Sequence, residues 1–146
     1  MPEHTIVTLR TEDLDDVIEV WKAAGLPYRP AGRDAREAIL AQMALPQCRF
    51  LGARDASGRL LGAVLVNHEG RKGWINRLAV RPEARRTGLA RALLEASERW
   101  LDQEGILIVA ALVEGYNEDS QALFEACAYD RDDSLVYYRK VKDPGV

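Results

Sequence analysis

Apolar residues recur along the chain in two rhythms. In one they fall three and four residues apart. In the other they alternate or run together in short blocks. Leu14, Val17, Ile18 and Trp21 lie at i, i+3, i+4 and i+7 and predict a helix with one apolar face. Thr11 is its expected N-cap, and Glu12, Asp13, Asp15 and Asp16 suit the positive end of the helix dipole. That helix should stop near Gly25, with Pro27 and Pro30 holding the next stretch extended. Ile39, Leu40 and Met43 predict a second helix over about 33–45. Leu89, Leu93, Ala96 and Trp100 predict a long helix over about 86–103, closed at Gly105. Arg91, Glu95 and Arg99 are spaced for charge pairs on its outer face. A shorter helix is expected over 117–126.

The second rhythm predicts strands over 5–9, 49–54, 60–66, 73–80, 106–113 and 134–141. Turn residues separate the three central runs by a few positions only, which argues for antiparallel hairpins. The run 106–113 is apolar throughout, as in a strand buried on both faces. The predicted order is therefore β-α-α-β-β-β-α-β-α-β. A meander of hairpins joined to a β-α-β crossover requires a mixed sheet, so the fold class is α/β (α+β).

Composition narrows the picture. A length of 146 residues suggests one domain over 1–146. The net charge of −3 gives no general affinity for nucleic acid or an anionic membrane, so any positive charge that matters is local. The longest apolar run, 106–113, is too short to span a bilayer. The start, MPEHTIVTLR, has no apolar signal core, and a cytoplasmic protein is expected. Cys48 and Cys127 stand apart, with no CxxC, and read as reduced thiols. His4, in an expected frayed end, and His68, in a turn, offer little for a metal, and none is expected.

The stretch RRTGLARALLEA, from Arg85, is the most informative. The first N–H groups of a helix have no partner within it and lie at the positive end of its dipole, which favours phosphate. Gly88 and Ala90 clear side chains from that turn, and Arg81, Arg85, Arg86 and Arg91 ring it with charge. A strand ends just before it, at Val80. The alternative is a plain tight turn with solvated arginines. Neither GxGxxG nor GxxxxGK[ST] is present.

LAVRPEARRTGLARALLEA resembles the acetyl-CoA signature of the GNAT superfamily of N-acetyltransferases. That signature has Gln or Arg, two residues, Gly, one residue, then Gly or Ala, matched here by Arg85, Gly88 and Ala90. NEDSQALFEACAY resembles the family's second motif through Asn117, Ser120, Leu123, Phe124 and Tyr129, while Ala128 stands where the family usually has Gly. Other stretches are similar to small bacterial acetyltransferases of the YpeA type. The resemblance implies a GNAT fold, splayed strands at the CoA site, acetyl-CoA as cosubstrate, and transfer to a primary amine of a small molecule or peptide. It implies that backbone around Arg86, Thr87, Gly88, Leu89, Ala90 and Arg91 holds the pyrophosphate. It also implies that Leu78, Ala79 and Val80 pair with the pantetheine arm, with Asn117 and Phe124 beside it. An ordinary helix N-cap is the other reading of Asn117.

Catalytic groups are harder to name. Many family members have Tyr at position 124, as acid toward the leaving thiolate, whereas Phe124 has no proton to give. Tyr129 and Tyr116 are the nearest substitutes in sequence, and water is another. Glu114 is the best remaining carboxylate for a base, with a solvated strand end as its alternative. Asn76 and Arg77 stand where the family often has a carboxylate. Tyr28, Arg29, Arg33 and Asn76 are the expected acceptor-side residues. Arginines facing the pocket would favour an acceptor carrying carboxylate or phosphate. The competing class is a CoA-binding sensor or interaction module without catalysis, for which Phe124 is the main argument. A homodimer is compatible with all of this.

Overall fold

The computed structural model describes residues 3–146. In chain order the elements are β1 (His4–Thr8), α1 (Leu14–Ala24), α2 (Arg36–Met43), β2 (Cys48–Asp55), β3 (Leu60–His68), β4 (Lys72–Val80), α3 (Leu89–Gln103), β5 (Ile108–Ala111) and α4 (Glu118–Ala126). They form one five-stranded sheet in the order β1-β2-β3-β4-β5. The first three pairings are antiparallel and β4 pairs with β5 in parallel, so the sheet is mixed. The order expected from the sequence holds as far as α4. The final strand over 134–141 does not form, and its residues lie exposed.

The sheet is covered on both faces. Leu61, Val64 and Val66 of β3 join the cluster under α3, built from Leu89, Leu93, Leu94, Trp100 and Leu101. Leu60, Ala63 and Leu65 join the opposite cluster, with Leu14, Val17, Val20 and Trp21 of α1 and Ile39 of α2. The doubly buried strand is thus the central β3, whose apolar positions serve both layers. Each such leucine or valine side chain contributes about 1.5–3 kcal/mol through burial. β5, expected to be the doubly buried one, sits at the sheet edge with Leu107 91% exposed. Its apolar run lacks a strand on its outer side. A Cβ at Gly62 would press on the side chains of Leu89 and Leu93, so glycine there lets α3 approach β3 closely.

Helix boundaries differ from expectation where tertiary bonds intervene. Thr11 does not cap α1. A 3₁₀ turn over Thr11–Asp13 leads in, and the Asp13 carboxylate accepts the Arg10 N–H at 2.8 Å and pairs with Arg54 at 2.8 Å. α3 starts at Leu89, after a second 3₁₀ turn over Pro82–Ala84 and a loop. Among the described residues, Arg91, Glu95 and Arg99 form no ion pairs with one another; Arg91 donates to the Ala126 carbonyl at 3.2 Å, tying α3 to α4. His4 opens β1. No helix is long and apolar enough to cross a membrane, and no group of metal-ligating side chains is gathered, among the described residues.

Candidate active site

β4 is longer than its parallel partner, and this opens the site. Pairing with β5 runs only from Lys72 opposite Ile108 to Ile75 opposite Ala111. From Asn76 to Val80, β4 has no strand on that side. On its β3 side the register also breaks: Leu65 faces Asn76, but Ala63 faces Ala79. Two steps on β3 therefore match three on β4, which is a β-bulge. Arg77 takes up the extra residue at a left-handed φ of 51°. Arg77 and Leu78 have no register partner on either neighbouring strand. A free stretch of β4 backbone results, carrying Leu78, Ala79 and Val80.

The free edge ends at the turn that the sequence singled out. Arg86 and Gly88 adopt left-handed φ values of 62° and 79°. Such alternation turns successive N–H groups inward to make an anion-binding concavity. Gly88 is the N-cap of α3, and no side chain caps that helix. The Thr87 hydroxyl donates to the Ala84 carbonyl at 2.6 Å and fixes the loop. Here lies a cavity of about 250 Å³ whose lining includes Val80, Arg85, Arg86, Gly88, Leu89, Ala90, Arg91 and Leu123. Arg85, Arg86 and Arg91 are exposed around it. Arg81 is not part of this ring. It is buried, and its Nε donates to the Leu60 carbonyl at 2.7 Å. Arg85 and Arg91 each donate to a main-chain carbonyl, at Ala24 and Ala126, but among the described residues none of the three cations pairs with a carboxylate, and with an uncapped helix start and a concave loop they fit a pyrophosphate.

A larger, open cleft of about 1140 Å³ lies between β4, β5, α4 and the C-terminal segment. Asn76 and Phe124 line it. Asn76 donates to the Asn67 side chain at 2.7 Å. Phe124 meets Tyr129 edge-on, with ring centroids 5.0 Å apart.

The residues singled out for proton transfer do not converge here. Tyr129 lines the cleft, but its hydroxyl donates to Glu98 at 2.7 Å. Burial and that carboxylate push its pKa above the ordinary phenol range, which makes it a weaker acid. It clamps the end of α4 to α3. Glu114 and Tyr116 are exposed and lie outside the lining of both cavities. Asn117 is the N-cap of α4, its Oδ1 accepting the Ser120 N–H at 3.1 Å. After α4, Ala128 takes a left-handed φ of 68°, so the turn that glycine usually makes forms with alanine instead.

The acceptor-side expectations divide. Tyr28 packs near Trp21 at 6.2 Å and under Lys22, while Arg29 and Arg33 are exposed, and none of the three lines either cavity. Asn76 does line the cleft. The structure adds Arg77, whose role the sequence did not reveal. Its guanidinium stacks on Trp21 at 4.0 Å, donates to the Pro27 carbonyl at 2.9 Å, and lies 3.6 Å from the buried Asp34. Asp34 also accepts the Arg29 N–H at 2.8 Å. Together they fasten the α1–α2 loop to the β4 bulge. Burial lowers the Arg77 pKa, with Asp34 opposing the shift, and its Nε is buried without a partner.

Comparison with known proteins agrees with this geometry. The family model described as "Acetyltransferase (GNAT) family" matches residues 13–129. An acetyltransferase of Sodalis glossinidius, SG1711, is 26% identical over 137 residues, covering 92% of this chain and 93% of that protein. The aminoglycoside 6'-N-acetyltransferase AAC(6')-Ih of Acinetobacter baumannii superposes with a TM-score of 0.79 at 17% identity, over 97% of this chain and 100% of that one. The PaiA N-acetyltransferase of Thermoplasma acidophilum, in complex with coenzyme A, gives 0.78 at 22% identity, over 90% and 92%. With a bulged, half-free β4 running into an uncapped α3, and a family match over most of its length, the chain belongs to the GNAT family of acetyltransferases.

Proposed function

We propose that this chain moves the acetyl group of acetyl-CoA directly to a primary amine. The observation that carries the reading is the continuity between the free β4 edge and the uncapped, arginine-ringed start of α3. The loop at Arg86, Thr87 and Gly88, with Leu89, Ala90 and Arg91, takes the pyrophosphate. Arg85, Arg86 and Arg91 supply charge. Leu78, Ala79 and Val80 offer main-chain groups to the pantetheine arm, and Phe124 flanks its sulfur end. The Thermoplasma protein that this chain resembles in fold holds coenzyme A, which supports acetyl-CoA as the cosubstrate.

Acetyl-CoA supplies an activated acyl carbon, so the amine lone pair forms the C–N bond as the C–S bond breaks and CoA leaves as a thiolate. The protein's part is to orient and polarise. Free N–H groups at the bulge, around Leu78, hydrogen-bond the carbonyl oxygen as it gains charge. The Tyr129 hydroxyl is committed to Glu98, and Glu114 and Tyr116 do not themselves line the cleft although their neighbours Val113 and Gly115 do, so water in the open cleft carries protons away from the amine and to the sulfur. Transfer is direct because Cys127 has no base to activate it. His68 bonds Glu104 and the Gly70 N–H, and His4 lies on the far edge strand.

Thiol release from acetyl-CoA over a panel of small amines, amino acids and peptides tests the reading. Turnover with at least one amine is expected. Phe124→Tyr adds a hydroxyl beside the sulfur and should speed that turnover by about 10-fold or more with little change in acetyl-CoA affinity. Tight CoA binding with no transfer to any amine would favour a non-catalytic sensor. Absence of CoA binding would remove the assignment.

A further inference from the structure

Among the described residues, Arg77 alone sits inside a strand with a left-handed φ, at 51°. Arg86 and Ala128 share that region, but both lie in turns. Glycine, asparagine and aspartate accept this conformation, whereas long side chains resist it. No local preference therefore places Arg77 there. Its surroundings hold it.

They do so through the side chain. The guanidinium lies 4.0 Å from the centre of the Trp21 ring, donates to the Pro27 carbonyl at 2.9 Å and comes within 3.6 Å of Asp34. Trp21 and Asp34 are themselves buried, and Asp34 accepts the Arg29 N–H, so the far side of this clamp is fixed. The face of the sheet matters as much. Trp21 belongs to the layer under α1, whereas Ile75 and Leu78 pack on the opposite layer, with α3. A regular strand counted on from Ile75 would turn Arg77 toward α3. There the guanidinium would lose all three partners and enter an apolar layer, which a charge resists strongly. The bulge gives two successive residues, Asn76 and Arg77, to the α1 face and avoids this. The charge of Arg77 thus selects the turn that its backbone resists.

The turn lies where the chemistry needs a fixed direction. Arg77 and Leu78 have no register partner on either neighbouring strand, and the peptide that joins them carries the Leu78 N–H. The direction of that N–H follows the backbone angles of Arg77. The clamp is also not the one that stability alone would favour. Its carboxylate stands 3.6 Å away, and the Arg77 Nε is buried without a partner. Backbone strain of this kind persists where surrounding contacts over-determine it, and it collects at active sites.

We infer that Arg77 is a positioning residue for acetyl transfer: clamped against the α1–α2 loop, it holds the turn of β4 that aims the Leu78 N–H at the acetyl carbonyl. The inference rests on the acetyl-transfer reading above. Arg77 acts through the backbone and not by contact with the acetyl group.

Alanine and glycine separate the two parts of this role. Arg77→Ala and Arg77→Gly both remove the guanidinium and both leave Asp34 without its cation. Only glycine takes a φ of 51° without strain. Isotope-edited infrared spectroscopy of bound acetyl-CoA reads the carbonyl directly, because a hydrogen bond lowers its stretching frequency, and it needs no acceptor. Arg77→Ala should move the band to higher frequency than in the parent, and Arg77→Gly should stay closer to the parent. With an amine that the panel identifies, kcat should fall by about 10-fold or more in Arg77→Ala and recover in part in Arg77→Gly. Acetyl-CoA affinity, by calorimetry, should be unchanged in both, and their stabilities should fall together. A role in stability alone would move neither the band nor kcat of the folded protein.

An Arg77→Ala band at the parent position would overturn the inference. Equal displacement in the alanine and glycine variants would overturn it too, because the turn would then not be the means. Should both variants fail to fold, Arg77→Lys takes their place, since it keeps the charge and loses the planar fork. A band displaced upward in that variant supports the inference, and a parental band overturns it. A parent that binds no acetyl-CoA would overturn the acetyl-transfer reading and this inference together, whereas the other outcomes leave that reading standing.

Discussion

The two ends of the opening beside β4 are built in opposite ways. At one end, the Arg86–Gly88 turn uses backbone: left-handed residues, an uncapped helix and side chains cleared away. At the other, around Arg77 and Tyr129, side chains dominate, and most are bonded to the protein itself. The first end is arranged for a ligand of fixed shape and charge. The second secures a loop and a helix end beside a wide cleft. The difference explains why cosubstrate chemistry is plain here while acceptor chemistry is not.

Changes at each end should therefore read out differently. Gly88→Glu places a carboxylate at the proposed phosphate site, at a φ of 79° that side chains resist. Calorimetry should show CoA affinity falling by more than roughly 100-fold, with Gly88→Ala losing less because it adds strain without charge. Equal losses would make shape, not charge, the determinant.

Arg77→Ala should act on stability instead. It leaves Asp34, 6% exposed, without its cation. Urea unfolding should show a loss of about 2 kcal/mol. Arg77→Lys should recover only part, since an ammonium cannot both stack on Trp21 and reach the Pro27 carbonyl as a planar fork does. Removing Asp34 as well should cost less than the sum of the single changes.

Smaller effects sharpen the contrast. Arg86→Ala or Arg91→Ala should weaken CoA by about 1 kcal/mol each, as expected for exposed charge-assisted contacts. Pantetheine, which lacks the phosphates, should bind the variants and the parent alike. Equal weakening of both ligands would remove these arginines from the phosphate site. Ala128→Gly should raise stability by about 0.5–1 kcal/mol, because glycine tolerates the φ of 68° at the end of α4. A melting temperature higher by roughly 2–3 °C would be its signature.

The sequence was legible where a feature is local. The amphipathic helices and the hairpin meander follow from spacing, and so does the anion turn, because Arg85, Gly88 and Ala90 lie within six consecutive residues. The bonds from Arg77 to Pro27 and Asp34, and from Tyr129 to Glu98, join residues far apart in the chain, and nothing in local pattern announces them. β5 misled for another reason. An apolar run looks the same whether its cover comes from the same fold or is absent from it, so 106–113 read as interior while lying at an edge.

The bulge at Arg77 makes chain length itself a specification. Side chains alternate across a strand, so the extra residue resets parity for everything between it and the anion turn. Replacing Leu78 by another apolar residue leaves that parity alone. Deleting a single residue between Asn76 and Val80 reverses it and closes the gap in the ladder. This stretch should tolerate changes of letter far better than changes of count, and a deletion library should find it among the least forgiving parts of the chain.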